Sequence, residues 1–451
     1  MKVSSHALIV IDKARLLDND ELHTITLRNG IVESVCLSHQ DGQTQTAGTE
    51  VDADAVADMH DAHRIDAKGQ IAVPGMCDLY ARLREPGLTR KGSIKSESCA
   101  ALAAGFTRVL CSPDTQPAID SVATVQLIKQ RAEMAQGAQI FPIAALTLGL
   151  AGEQLTELAT MQSAGCVAAG QADYPLGNTN VLFSAMEYAA SFSLPLFMTA
   201  RDAQLGADGC AHSGAMATRL GLPDIPVAAE TVALARLLEL CRETSCRLHI
   251  SRISSARALQ MIRAAKLAAL PVTCDVGLHH LFFTDDHLAG YDSSFHSEVP
   301  FRSIADRDAL RQGVVDGVID AICSDHAPHE KDASLAPFPS TEPGLSAYTW
   351  SMPLILQLTD ILGFTVSQVF EKLSTAPKRV INGSASTGLT QGQAAEFFLL
   401  SEAALEPVEV DHESAGTNHP LSIHSPAEIG LEPLHGKVTN VFLEKQHHTI
   451  T

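Results

Sequence analysis

Residues 71–112 read IAVPGMCDLYARLREPGLTRKGSIKSESCAALAAGFTRVLCS, and this one stretch holds a complete repeating unit. Residues 71–83 are an apolar run of strand character, residues 93–104 follow a helical pattern, and residues 107–112 are apolar again. Working outward, the same alternation continues. Strand-like runs recur at 139–145, 166–170, 194–199, 247–253, 271–276 and 318–323, which makes eight in all. Helical patterns at 121–135, 178–192, 228–243, 255–266 and 305–315 fall between most of them. Apolar strands separated by helices imply a parallel sheet covered on both faces. Eight such units imply an α/β protein built on a closed (β/α)₈ barrel, expected here over residues 71–387. Two more helical stretches, 345–362 and 365–373, complete that region.

The two ends differ from the middle. Residues 1–70 carry short alternating segments, such as 7–10 and 25–27, with a polar, acidic insertion over 38–61. From residue 388 to 451 the chain returns to short β-like pieces, 395–400 and 438–443 among them. The ends are expected to form one small composite β-sandwich module.

Composition bounds the partners. The 451 residues are 45% hydrophobic and 19% charged, enough for a large core. A formal charge of −20 repels phosphate backbones and anionic lipid, so neither nucleic acid nor a membrane surface is expected as a partner. No stretch approaches the roughly 20 apolar residues of a membrane helix, and residues 1–15 are too polar for a signal peptide. The ten cysteines are scattered without a CxxC pair and read as small buried hydrophobes of a cytoplasmic protein. Acidic runs at 52–66 and 406–413 read as solvated surface, and His447-His448 as a solvated tail.

In such a barrel chemistry sits just past the C-terminal ends of the strands. Strand one ends in Asp78–Gly87 (DLYARLREPG), strand two in residues 112–117 (SPDTQP), and strand eight in residues 324–329 (SDHAPH). Together these resemble the dihydroorotases, metal-dependent enzymes of the amidohydrolase superfamily, over residues 25–442. The resemblance implies zinc as cofactor: the metal lowers the pKa of a bound water and polarises the scissile carbonyl. It also implies a ligand set of Asp-x-His-x-His after strand one, a carboxylate after strand four, a His after each of strands five and six, and an Asp after strand eight.

Most of that set is replaced here. The first two histidines correspond to Tyr80 and Arg82, the strand-four aspartates to Gln171 and Ala172 with Asp173 one place late, and the later histidines to Thr199 and Arg252. Only Asp325 remains, as a vestigial carboxylate. Arginine keeps its proton and offers no lone pair, so two arginines at ligand positions exclude the dinuclear site, and no metal is expected. The substrate-like pocket is altered too: Arg84 and His329 match the family's substrate contacts, but Asp114 and Glu298 stand where asparagines are expected. Asp325 is expected to pair with Arg252 or Arg82, because a buried carboxylate needs a counter-charge once the metals are gone. His326 is expected to hold its loop, and His279-His280 to be packing residues.

Three readings follow. In the first, the chain is a catalytically inactive dihydroorotase-like scaffold for the catalytic chain of aspartate carbamoyltransferase, as a homodimer within a larger hetero-oligomer. Residues 171–177, 323–326 (CSDH) and 215–222 (AMATRLGL) carry that resemblance. In the second, it is an active zinc-dependent dihydroorotase, converting N-carbamoyl-L-aspartate to dihydroorotate with a different ligand set. In the third, Arg82, Arg84, Arg201 and Arg252 gather an anionic metabolite; against it, Asp78, Asp114, Asp202 and Asp325 are expected to satisfy those arginines internally.

Overall fold

The computed structural model describes residues 2–4, 6–38, 62–383, 388–404 and 418–450. Residues 52–61 of the first acidic run, nearly all of the 38–61 insertion and all of 406–413 lie outside them. The first strands are β1 (Lys2–Ser4), β2 (Leu8–Leu16), β3 (Asn19–Arg28), β4 (Ile31–Leu37), β5 (His63–Asp66) and β6 (Ile71–Pro74). The barrel strands are β7 (Met76–Ala81), β8 (Phe106–Cys111), β9 (Gln139–Ala145), β10 (Ala168–Gly170) and β11 (Leu196–Thr199). A two-strand excursion, β12 (Ala211–His212) and β13 (Asp224–Ile225), precedes β14 (Leu248–Ser251), β15 (Val272–Gly277) and β16 (Ala321–Cys323). The chain ends in β17 (Glu396–Ala404), β18 (His435–Leu443) and β19 (Gln446–Thr449).

Strands β7 to β11 and β14 to β16 pair in parallel in the order β16-β15-β14-β11-β10-β9-β8-β7. The ring is nearly closed by a parallel bridge from Ala81 to His326, where Arg82 N–H donates to the His326 carbonyl at 2.8 Å. Helices return the chain between strands, and their starts are set locally. Ser93, Ser121, Ser255 and Ser303 each accept an N–H from three residues on, at the heads of Ile94–Ala103, Val122–Ala135, Ala256–Leu267 and Ile304–Val315. A shorter helix, Leu158–Ala164, stands between β9 and β10 without such a capping side chain.

The two ends share one nine-stranded sheet, in which β17 runs antiparallel to β6 and β1 to β19. Strand β17 shows why the module stays docked. Phe397 and Leu399 enter the module's own core with Ile11, Ile25 and Phe442, while Phe398 and Leu400 face the opposite way into the main core.

Two expectations need correction. The run at 71–83 is two strands, not one: β6 belongs to the terminal sheet and β7 to the barrel, with Gly75 between them. His447 and His448 are not a solvated tail. They lie in β19, 3% and 0% exposed, and burial pushes both imidazoles down to about 4. Eight of the ten cysteines are buried, whereas Cys99 is half-buried and Cys36 exposed. Among the described residues no helix is long and apolar enough to cross a membrane.

Candidate functional site

The strand ends deliver the key residues through strained backbone. Arg84 after β7, Ala172 after β10, Arg252 after β14 and Asp325 after β16 all have φ between 50° and 65°. A left-handed conformation is unfavourable for a residue with a Cβ, costs of order 1–3 kcal/mol, and tends to cluster at sites.

At the centre stands Arg252, fully buried and the largest such side chain among the described residues. Its Nη1 donates to Asp325 Oδ1 at 2.8 Å, and its Nη2 donates to Thr199 Oγ1 at 2.8 Å and to Asp173 Oδ1. The guanidinium lies 3.7 Å from the centroid of the Tyr80 ring, a cation–π geometry. The Tyr80 hydroxyl donates to Asp173 Oδ2 at 3.0 Å. Arg82 joins from the other side, donating to Asp173 Oδ2 at 2.6 Å and to Asp114 Oδ2 at 2.7 Å. Burial would raise the Asp173 carboxyl, but Arg252 and Arg82 hold it well below the usual carboxylate range. Burial likewise works against the Arg252 cation, and Asp173, Tyr80 and Asp325 overturn it, so its pKa rises.

Of the two arginines expected beside Asp325, the partner is therefore Arg252, while Arg82 bridges Asp114 and Asp173. The remaining acids expected to neutralise the arginines do not. Asp78 takes hydrogen bonds from Ser324 and Tyr348, and burial raises its carboxyl to about 6. Asp202 accepts from the N–H groups of Gln204 and Leu205. Arg201 is matched by Glu298 at 2.5 Å. Gln171 turns away to the Leu150 carbonyl at 2.9 Å, and Ala172 is buried beside it. Asp173, one place off the aligned position, is the carboxylate that the β10 end brings to the centre, opposite Asp325. Its distance past the end of β10 was the one available signal.

His280 donates to the Val299 carbonyl at 3.0 Å, and His279 meets His419 at 2.9 Å between Nε2 atoms. His326 sits within reach of Glu97 at 2.8 Å and accepts from the Ala347 N–H, tying its loop to the barrel wall. Among the described residues no three His, Cys, Asp or Glu side chains are arranged to hold a metal ion. The donor set does not fit a zinc pair, because Arg252 places N–H groups against the carboxylates that a metal would use.

Above this centre the barrel mouth opens into a cavity of about 580 Å³, lined by Arg82, Arg84, Lys91, Asp114, Glu298 and His329 among others. Lys91 pairs with Glu342 at 2.7 Å. Arg84, 7% exposed, donates to the Pro328 carbonyl at 2.9 Å, its Nη2 lies 2.9 Å from His329 Nε2, which is also 2.9 Å from the Pro343 carbonyl, and no carboxylate among the described residues pairs with it. Burial and then Arg82 lower its pKa to about 10. Burial, with Arg84 beside it, lowers His329 to about 3, so this imidazole is neutral.

The family described as Dihydro-orotase-like matches residues 69–258. The chain is 43% identical over 360 residues to a dihydroorotase-like protein of Pseudomonas putida, covering 80% of this chain and 85% of that one. It is 40% identical over 377 residues to a dihydroorotase-like protein of Pseudomonas aeruginosa, covering 83% and 89%. It is 35% identical over 392 residues to a dihydroorotase of Syntrophotalea carbinolica, covering 87% and 89%. Among solved structures, an L-hydantoinase (dihydropyrimidinase) from Arthrobacter aurescens matches with a TM-score of 0.77 at 18% identity. That match covers 97% of this chain and 94% of that one, a likeness of fold.

Proposed function

The chain belongs to the dihydroorotase-like family, and we propose that it is a non-catalytic member acting as an assembly subunit for the catalytic chain of aspartate carbamoyltransferase. The observation that carries the first half is Arg252. Ring closure or opening in this family depends on a metal-activated water, and metal ligands must present lone pairs. Here a permanently protonated guanidinium spans Asp173, Asp325 and Thr199, and Tyr80 closes its face. The acids Asp114 and Glu298 at the mouth further disfavour an anionic substrate.

The second half rests on two segments. Residues 171–177 hold Asp173 in the centre and present Tyr174, 53% exposed, at the rim. Residues 215–222 form the short helix Ala215–Leu220 and its Gly221 cap, beside the β12–β13 excursion. On this reading the barrel lends its outer surface, as a homodimer within a larger hetero-oligomer in the cytoplasm.

The test is metal content by plasma mass spectrometry with a dihydroorotase assay in added zinc, followed by co-expression with the transferase chain. The expected result is less than about 0.1 metal per chain, no turnover, and a complex that survives size exclusion. One or two tightly held zinc ions with turnover would make the protein an active dihydroorotase instead. Failure to co-elute with the transferase would overturn the assembly role.

A further inference from the structure

We propose that the barrel mouth binds a small zwitterion of the amino-acid class: Arg84 keeps the family's carboxylate contact, and the new element is an ammonium site between Asp114 and Glu298. Arg82, Arg84, Lys91, Arg201 and Arg252 are matched in number by Asp114, Asp173, Glu298, Glu342 and Asp325, so the mouth is balanced as a whole. The balance is uneven in space. Each of those five acids touches a cation, and each cation but Arg84 touches one of those acids.

A nearly buried guanidinium without a counter-ion is costly, and its left-handed backbone adds to that cost. Its Nη1 makes no hydrogen bond among the described residues, while Nε is held by the Pro328 carbonyl and Nη2 packs against His329 Nε2 at 2.9 Å. The side chain is thus fixed, with both N–H groups of Nη1 left over at the cavity wall. His329 cannot supply the missing counter-charge, because an imidazole is never an anion.

The same wall carries leftover acceptors. Asp114 uses Oδ2 for Arg82, and Glu298 uses Oε1 for Arg201; the second oxygen of each takes no hydrogen bond among the described residues. A monoanion would satisfy Arg84 and leave these acceptors facing it; a dianion would be repelled by them. A cation would satisfy the acids and leave Arg84 alone. Only a ligand with both charges meets both ends and keeps the site neutral. A cavity of about 580 Å³ has room for an amino acid with a side chain. The inference goes beyond the assembly reading and does not depend on it.

The test is a thermal-shift and calorimetric screen of purified full-length protein against glycine, L-alanine, L-asparagine, β-alanine and 4-aminobutyrate. The best ligand is then compared with its N-acetyl derivative, which lacks the ammonium, and its methyl ester, which lacks the carboxylate. The expected result is binding of the parent, with each derivative and the Arg84→Gln variant at least about tenfold weaker. No shift with any amino acid would overturn the proposal, as would equal binding of the N-acetyl derivative, which would mark a simple anion site. If Arg84→Gln does not fold, Glu298→Gln carries the test. It should weaken the amino acid about tenfold and leave the N-acetyl derivative unchanged, and equal binding of the parent would reject the ammonium contact. None of these results bears on zinc content or on co-elution with the transferase, so the two proposals fail separately.

Discussion

Arg252 is held by two carboxylates, a threonine hydroxyl and the face of Tyr80, and its side chain has no exposed surface. Taking away one member of a buried ion network leaves the others charged and unsolvated, which costs about 3–5 kcal/mol. Arg252→Met should therefore lower unfolding free energy by about that amount in urea titrations. Arg252→Lys keeps the charge but loses the planar fork, and should fall between the two proteins. Asp173 predicts the acid limb. Its folded pKa lies below the ordinary 3.8, so its contribution is present above that value and is lost as pH falls through the folded pKa. Asp173→Asn should be less stable at neutral pH yet lose less on acidification below about pH 4, which denaturation at stepped pH will measure. A steeper acid limb in the variant would show that other carboxylates dominate.

Between residue and whole molecule, two glycines set how closely elements approach. Gly75 lies where the chain leaves β6 for β7, and a Cβ there would stand 2.3 Å from Thr107 Oγ1 on β8. Gly170 ends the three-residue β10, and a Cβ there would stand 2.5 Å from the Phe197 carbonyl oxygen of β11. Overpacking of this kind costs about 1–3 kcal/mol when a neighbour can yield. Thr107 is a side chain, and Phe197 O is backbone within a barrel strand. Gly75→Ala is thus expected in that range and Gly170→Ala above it, both read by chemical denaturation. The opposite ranking would mean that β10 and β11 part more readily than Thr107 turns.

On the scale of the molecule, barrel and terminal module meet at Glu396. This β17 carboxylate accepts two hydrogen bonds from Arg108 at 2.8 Å and one from Thr107 at 2.8 Å, with Lys378 at 3.1 Å. Burial would raise its pKa, but Lys378 and Arg108 hold it below the usual range. Glu396→Ala should cost about 3–5 kcal/mol and expose the interface between the two parts, seen as earlier proteolysis at the chain ends. The net charge of −20 adds a prediction about assembly. If a basic face of the transferase docks here, raising salt from about 0.1 M to about 1 M shortens screening from about 10 Å to about 3 Å and should reduce co-elution. Salt-insensitive association would point to an apolar contact instead.

The sequence by itself determined the barrel and the nature of its mouth. Strand and helix periods are local, and residues just past a barrel strand must face the mouth, so Tyr80, Arg82, Thr199, Arg252 and Asp325 could be placed without a structure. Who pairs with whom was not legible. Asp173 meets Arg252 just past a left-handed Ala172, and Glu298 meets Arg201 across 97 positions of chain. The split of 71–83 and the burial of His447-His448 were equally hidden, since each depends on pairing with a strand from the far end of the chain. Such contacts are fixed by closure of the ring and the meeting of the termini, which no local pattern encodes. That same closure leaves Arg84 as the mouth's cation without a carboxylate partner among the described residues, a fact about three-dimensional neighbours that composition alone does not contain.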